Sequence, residues 1–231
     1  MLLNRIKPSY LVLLFATYFA ILISLYFVFL ATPTEQTMGD VQRIFYYHVP
    51  SAWVAFLAFL IVCVASIMFL KSGDGKWDRL AQSSAEIGVL FITLVLLTGP
   101  LWAKPVWNTF WTWDARLTTS FILWLIYIAY LMIRSYTADS ERGARFAAVF
   151  GIIGFIDVPI VYMSIRWWRT LHPSPVMGGS AGSGLAPEMV RTLMISLGAF
   201  TLLFITLLIL RYNFIVLESK VKMLKSEIPP D

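Results

Sequence analysis

The chain contains two histidines, His48 in RIFYYHVPSAW and His172 in RWWRTLHPSP. Imidazole binds metals and moves protons near neutral pH, so these positions carry much of the chemistry the sequence offers. Each has aromatic neighbours, and each precedes a proline by one or two residues. Between them stands WAKPVWNTFWTWDAR, which packs Trp102, Trp107, Trp111 and Trp113 into twelve positions and closes on Asp114 and Arg116. Indoles present flat apolar faces, and the carboxylate and guanidinium add a polar edge. A planar, mostly hydrophobic ligand with charged substituents suits such a shelf. Haem has that shape, and two imidazoles from opposite faces could fill the axial positions of its iron. Arg43, Lys104, Arg116, Arg166, Arg169 and Arg191 are the cations available for its propionates. The plainer reading stays open for each: an interfacial tryptophan belt, a backbone-bonded histidine, a solvated cation.

These residues must be positioned by an apolar scaffold. Of 231 residues, 59% are hydrophobic and 13% charged, far from the averages of soluble domains. Apolar runs near 10–31, 53–70, 83–102, 117–133, 146–163 and 192–210 are each close to the roughly 20 residues a helix needs to cross a bilayer. No ten-residue alternating strands occur. The expected fold is an all-α integral membrane protein, a six-transmembrane-helix bundle forming one polytopic domain over 1–231. Within it, 99–118 is the tryptophan-rich segment, 164–191 the loop bearing the second histidine, and 211–231 the tail. The first run is too long for the core of a signal peptide and lacks an A-x-A site, so it reads as a retained anchor.

Net charge +5 suggests nucleic acid in a soluble protein, but here the cations lie between spans and set topology. The N-terminal segment, the loops 71–82 and 134–145 and the tail together hold twelve lysines and arginines, against six in the other three loops. The positive-inside rule places the twelve, and both termini, in the cytoplasm. Both histidines and seven of the nine tryptophans then map to the outer side, with Trp124 mid-span and Trp77 inside. A simple anchoring belt would populate both interfaces.

Other chemistries lack their residues. Cys63 is the single cysteine, so there is no C-x-x-C redox pair and no C-x-x-C-H haem attachment site. No Walker A pattern occurs: GDGKW lacks the spacing, and GGSAGSG at 178–184 has no lysine. No internal repeat supports a secondary transporter. Two acids lie within spans, where a carboxylate costs about 2.5 to 3.5 kcal/mol. Glu86 reads as reaching the nearby interface, and Asp157, two residues before Pro159, as making a polar contact inside the bundle. Pro100 and Pro105 disfavour a regular helix at the start of the aromatic segment, after which Trp107 and Trp111 would share a face of a short helix. The tail is expected to prolong the last helix until Pro229 and Pro230.

GPLWAKPVWNTFWTWDARLTTS resembles the tryptophan-rich WWD signature of haem-handling proteins in cytochrome c maturation. With six spans and a histidine on each side of the signature, the chain is similar, more narrowly, to the cytochrome c maturation protein C family, as are YYHVPSAW and DVPIVYMSIRWWRTLHP. The resemblance covers nearly the whole chain apart from the tail. It implies a b-type haem on the periplasmic face of a bacterial inner membrane, with His48 and His172 as axial ligands. Trp102, Trp107, Trp111, Trp113 and Asp114 would form the platform, with Arg116 and Arg43 beside it. It also implies delivery to a membrane-anchored haem chaperone, together with ABC-type ATPase and permease subunits and a small single-span accessory protein. Ala103 and Asn108 follow Trp102 and Trp107 at positions where glycine is common in the family, which puts the local turn in question. Two other classes remain alternatives: a membrane b-type cytochrome passing electrons, and a small-molecule transporter relying on Asp157 and the Gly-rich loop.

Overall fold

The computed structural model describes residues 8–137, 140–172 and 185–226. The helices are α1 (Pro8–Tyr26), α2 (Phe45–Ser72), α3 (Gly75–Trp107), α4 (Ala115–Tyr136), α5 (Glu141–Phe155), α6 (Asp157–Trp167) and α7 (Pro187–Ser226). A π-helical turn, Phe27–Ala31, prolongs α1, and a 3-10 turn, Asp40–Ile44, leads into α2. With α5 and α6 forming one crossing, six segments are long and apolar enough to span a membrane, which establishes an all-α integral membrane protein. The Gly/Ser-rich stretch 178–184, most of its loop, and Pro229 and Pro230 lie outside the described residues.

Local signals set the helix ends. Gly73 takes a left-handed φ of 69° and donates its N–H to the Phe69 carbonyl, closing α2 where a side chain would be strained. One residue later Asp74 caps α3 by accepting from the Lys76 N–H at 2.9 Å. Ser140 caps α5 in the same way through the Gly143 N–H. The α5–α6 break falls at Ile156, just after Phe155. That residue stands four before Pro159, whose ring displaces its carbonyl from the helical ladder.

Two sequence expectations about helix ends need correction. Helix α3 runs through both Pro100 and Pro105 to Trp107, because neighbouring helices hold a proline-containing span together even where its ladder loses a bond. Helix α2 begins at Phe45, so His48 sits in its first turn rather than ahead of the span.

The core gathers α2, α3, α4, α5 and α7 around Phe59 and Tyr127, whose rings stack at 3.7 Å. Gly88 lets α3 approach α2 closely: a Cβ there would lie 2.5 Å from the Phe59 ring. Helix α1 and the residue after its π-helical turn are tied to α7 by three hydroxyl pairs, Thr17–Thr206 at 2.7 Å, Ser24–Ser196 at 3.0 Å and Thr32–Thr192 at 2.6 Å. In hydrocarbon, paired hydroxyls satisfy each other where water cannot.

At the end of the bundle where α3 begins, Asp78, Gln82 and Glu86 fall four residues apart and so share one face. Arg134 of α4 meets Asp78 at 2.8 Å and Gln82 at 3.3 Å, and Arg211 of α7 meets Glu86 at 2.8 Å. Gln82 also donates to Glu86 at 3.2 Å, which joins the two ion pairs into one network. Glu86 is therefore held by a helix–helix ion pair rather than by the interface alone. Asp157 departs further from expectation. Its buried Oδ2 has no hydrogen-bond partner among the described residues, and the break beside it is closed by backbone, Ile156 N–H to the Ile153 carbonyl at 3.1 Å.

Candidate haem cleft at the tryptophan-rich end

Helix α3 supplies one wall. Gly99, Trp102, Ala103 and Trp107 of its last turns line a cleft together with Phe56 of α2 and Arg116, Leu117 and Ser120 of α4. Ala103 is buried in regular helix, where the backbone freedom of glycine is not needed. Asn108 does need it: it ends α3 with a left-handed φ of 55°, a conformation asparagine tolerates better than most residues. The chain then runs without regular structure to Asp114, so Trp107 and Trp111 do not share a helix face as expected. Both nevertheless line the cleft.

His48 and His172, 124 positions apart, both line this cleft. His48 is 9% exposed, enclosed by α3, with its ring edge-on to Trp102 at 5.9 Å between centroids. Its Nδ1 is 2.9 Å from the Thr98 hydroxyl. His172 is placed by a different device. Its N–H donates to the Thr170 hydroxyl at 3.1 Å, while the Asp114 carboxylate accepts from the Thr170 side chain and the Leu171 N–H. Asp114 also caps α4 by accepting from the Leu117 N–H at 3.0 Å and receives a bond from the Thr112 hydroxyl at 3.2 Å. One carboxylate thus fixes the start of α4, the end of the tryptophan segment and the strand of chain leading into His172. Burial pushes the Asp114 carboxyl up, but the bonds from Leu117, Thr170, Thr112 and Leu171 outweigh it and hold it below the ordinary aspartate value.

The other expected site residues divide. Arg116 reaches from α4 to donate to the Val161 carbonyl of α6 and still lines the cleft. Trp113, also at a left-handed φ of 55°, is 69% exposed and lies outside the cleft. It lines a neighbouring apolar groove of about 410 Å³ with Phe121, Trp124 and Leu97, and Trp111 and Leu96 are walls common to both. Arg43 is elsewhere. It bonds Asp40 at 3.0 Å, Thr34 at 3.2 Å and the Val28 carbonyl, pinning the connection from α1 to α2 beside Phe29 and Tyr47. Those partners occupy its guanidinium away from the cleft, whose lining does not include it.

Sequence reasoning missed Thr98, Gly99, Phe56 and Phe110. Thr98 and Trp102 stand at i and i+4 and so flank one position on α3, a spacing that shows which residues share a face but not that His48 comes to it. The cleft is narrow, with about 50 Å³ of free space, enough for a few waters at most. The buried indole N–H groups of Trp102 and Trp111 have no hydrogen-bond partner among the described residues. A buried donor left unpaired costs about 1 to 3 kcal/mol, so the walls hold polar capacity that an entering ligand could satisfy.

The profile of heme exporter protein C matches residues 2–227. Heme exporter protein C of Bradyrhizobium diazoefficiens is 37% identical over 210 residues, covering 91% of this chain and 80% of that one. The Escherichia coli K12 protein of the same name is 32% identical over 197 residues, covering 85% and 79%. A ccmC-like mitochondrial protein of cytochrome c biosynthesis from Marchantia polymorpha is 38% identical over 163 residues, covering 70% and 67%. The match runs through every helix described above, from α1 to the end of α7, and the chain belongs to the heme exporter protein C family.

Proposed function

We propose that the cleft between α3 and α4 receives haem as cargo, with His48 and His172 as the axial pair on a b-type haem. Membership of the family makes the chain a haem-handling component of cytochrome c biogenesis. The observation that supports the cleft as the site is that the only two histidines of the sequence line it together. Among the described residues no three His, Cys, Asp or Glu side chains gather as they would around a bare ion. Two imidazoles without further protein ligands suit an iron whose equatorial positions are filled by a porphyrin.

Trp102, Trp107 and Trp111 supply the indole walls, and Arg116 is the cation within the cleft that could pair with a propionate. Asp114 acts at one remove, by holding the chain that carries His172. Because 50 Å³ cannot contain a porphyrin, loading requires the walls to part. The segment from Asn108 to Asp114 is the wall without helical hydrogen bonds, and Trp111 within it separates the cleft from the larger groove. Moving that partition would join the two spaces.

The excess of cations in the segments away from the cleft favours placing it on the periplasmic face of the inner membrane, with both termini cytoplasmic. Haem held there is in position for delivery to a membrane-anchored haem chaperone. No nucleotide-binding motif is present in the sequence, so energy from ATP would come from ABC-type ATPase and permease subunits, joined by a small single-span accessory protein. The reading is of binding and transfer rather than catalytic turnover. An electron-transfer cytochrome is less well supported, since both histidines lie at one end of the bundle and offer no path across it.

The test is the absorption spectrum of the purified protein with and without His48→Ala and His172→Ala. A bis-imidazole haem spectrum should appear in the parent, and each variant should lose at least about 100-fold in haem retention, the upper end of what even an outer-sphere partner contributes. Spectra unchanged in both variants would remove the axial assignment.

A further inference from the structure

The Thr98 Oγ1 lies 2.7 Å from the Leu94 carbonyl one turn back and 2.9 Å from His48 Nδ1. A hydroxyl has one proton. Two oxygens at 2.7 Å with no proton between them would repel, and 2.7 Å is the ordinary length of an O–H···O bond, so that proton is on the line to Leu94. Toward His48 the hydroxyl can then only accept. Nδ1 must be the protonated nitrogen, and in a neutral ring Nε2 must carry the lone pair. No hydrogen bond occupies His48 Nε2 among the described residues.

The surroundings keep the ring in this register. Gly99 offers only backbone against it: a Cβ there would already touch the His48 Cε1 at 3.4 Å. Trp102 meets the ring edge-on. Thr98, Gly99 and Trp102 thus form a socket on two turns of α3, built where the ring is buried and water does not compete for Nδ1.

We infer that Thr98 is a positioning residue that fixes His48 as the Nδ1–H tautomer, leaving Nε2 as an electron-pair donor for iron; its role toward iron rests on the axial assignment above. The socket is made before any ligand arrives, so the tautomer is a property of the haem-free protein.

That allows a test independent of haem. Haem-free protein labelled with 15N only in histidine contains two imidazoles, and a His172→Gln variant identifies the His48 signals. The expected result is a protonated Nδ1 and a bare Nε2 on His48. A protonated Nε2 in the unaltered protein overturns the inference. Thr98→Val, which keeps the shape and removes the acceptor, should mix the two tautomers and weaken haem retention about 10-fold, and Thr98→Ser should restore both. If Thr98→Val leaves tautomer and retention unchanged, Thr98 positions nothing. If instead the 15N result holds while His48→Ala retains haem normally, it is the axial assignment that has failed.

Discussion

At the end where α3 starts, carboxylates and guanidiniums from three helices meet. Asp78 binds Arg134, Glu86 binds Arg211, and Gln82 bridges them, although two nitrogens of Arg134 have no partner among the described residues. At the end where α3 finishes, the same helix turns indoles into a cleft and holds the His48 imidazole of α2 through Thr98, and two buried indole donors have no acceptor among the described residues. The first end is fastened by charge in a medium where separating the partners is costly. The second carries indole donors whose unmet bonding capacity is modest for folding and available to a ligand. One helix therefore serves as a structural post at one end and as a receptor wall at the other.

Breaking the fastened end should have the largest effect on stability. Arg134 and Asp78 are 8% and 15% exposed, and Arg134→Gln should destabilise the protein by about 3 kcal/mol, measured by thermal unfolding in detergent. Haem retention by the protein that remains folded should be unchanged. A matching loss of haem affinity would show that the two ends are not separable.

Asp114→Ala sharpens the comparison at the cleft. The loss of a helix cap costs about 1 kcal/mol, yet the variant should also lose haem retention, because Thr170 and Leu171 are released together with His172. The pH dependence follows from the depressed carboxyl. Its contribution is complete above the ordinary value of 3.8 and is lost as pH falls through the lower folded value. Haem release from the parent should therefore steepen below 3.8, while Asp114→Asn shows no such added step. Equal slopes in the two proteins would mean that the carboxylate does not hold the loop.

The smallest effect is expected away from both ends. Thr206→Val removes one hydroxyl of the α1–α7 pairs and should cost about 0.6 kcal/mol with no change in haem binding.

The six crossings were legible because hydrocarbon imposes length and apolarity on a helix whatever its neighbours. Their ends were not. The turn holding His48 and the stretch from Pro100 to Trp107 are too polar or too proline-rich to read as helix, and only packing against other helices keeps them so. For the site, residue type pointed to both histidines, to Trp102, Trp107 and Trp111, and to Arg116, all of which line one cleft. Type alone could not separate Trp111 from Trp113, two residues away, because the positive φ at Trp113 sends that ring to the groove side. Nor could it place Arg43, whose partners come from the α1–α2 connection. Thr98 was invisible because its meaning depends on a residue 50 positions earlier.

Helix α7 has 40 residues and so measures about 60 Å, twice the thickness of the hydrocarbon layer. Beyond Arg211, which ties it to α3, it continues for four more turns with Lys220, Lys222 and Lys225 along it. Such a mast is stiff where a disordered tail would be slack. Whatever docks along it is held at a set height above the lipid, and the Arg211–Glu86 pair anchors that height to α3.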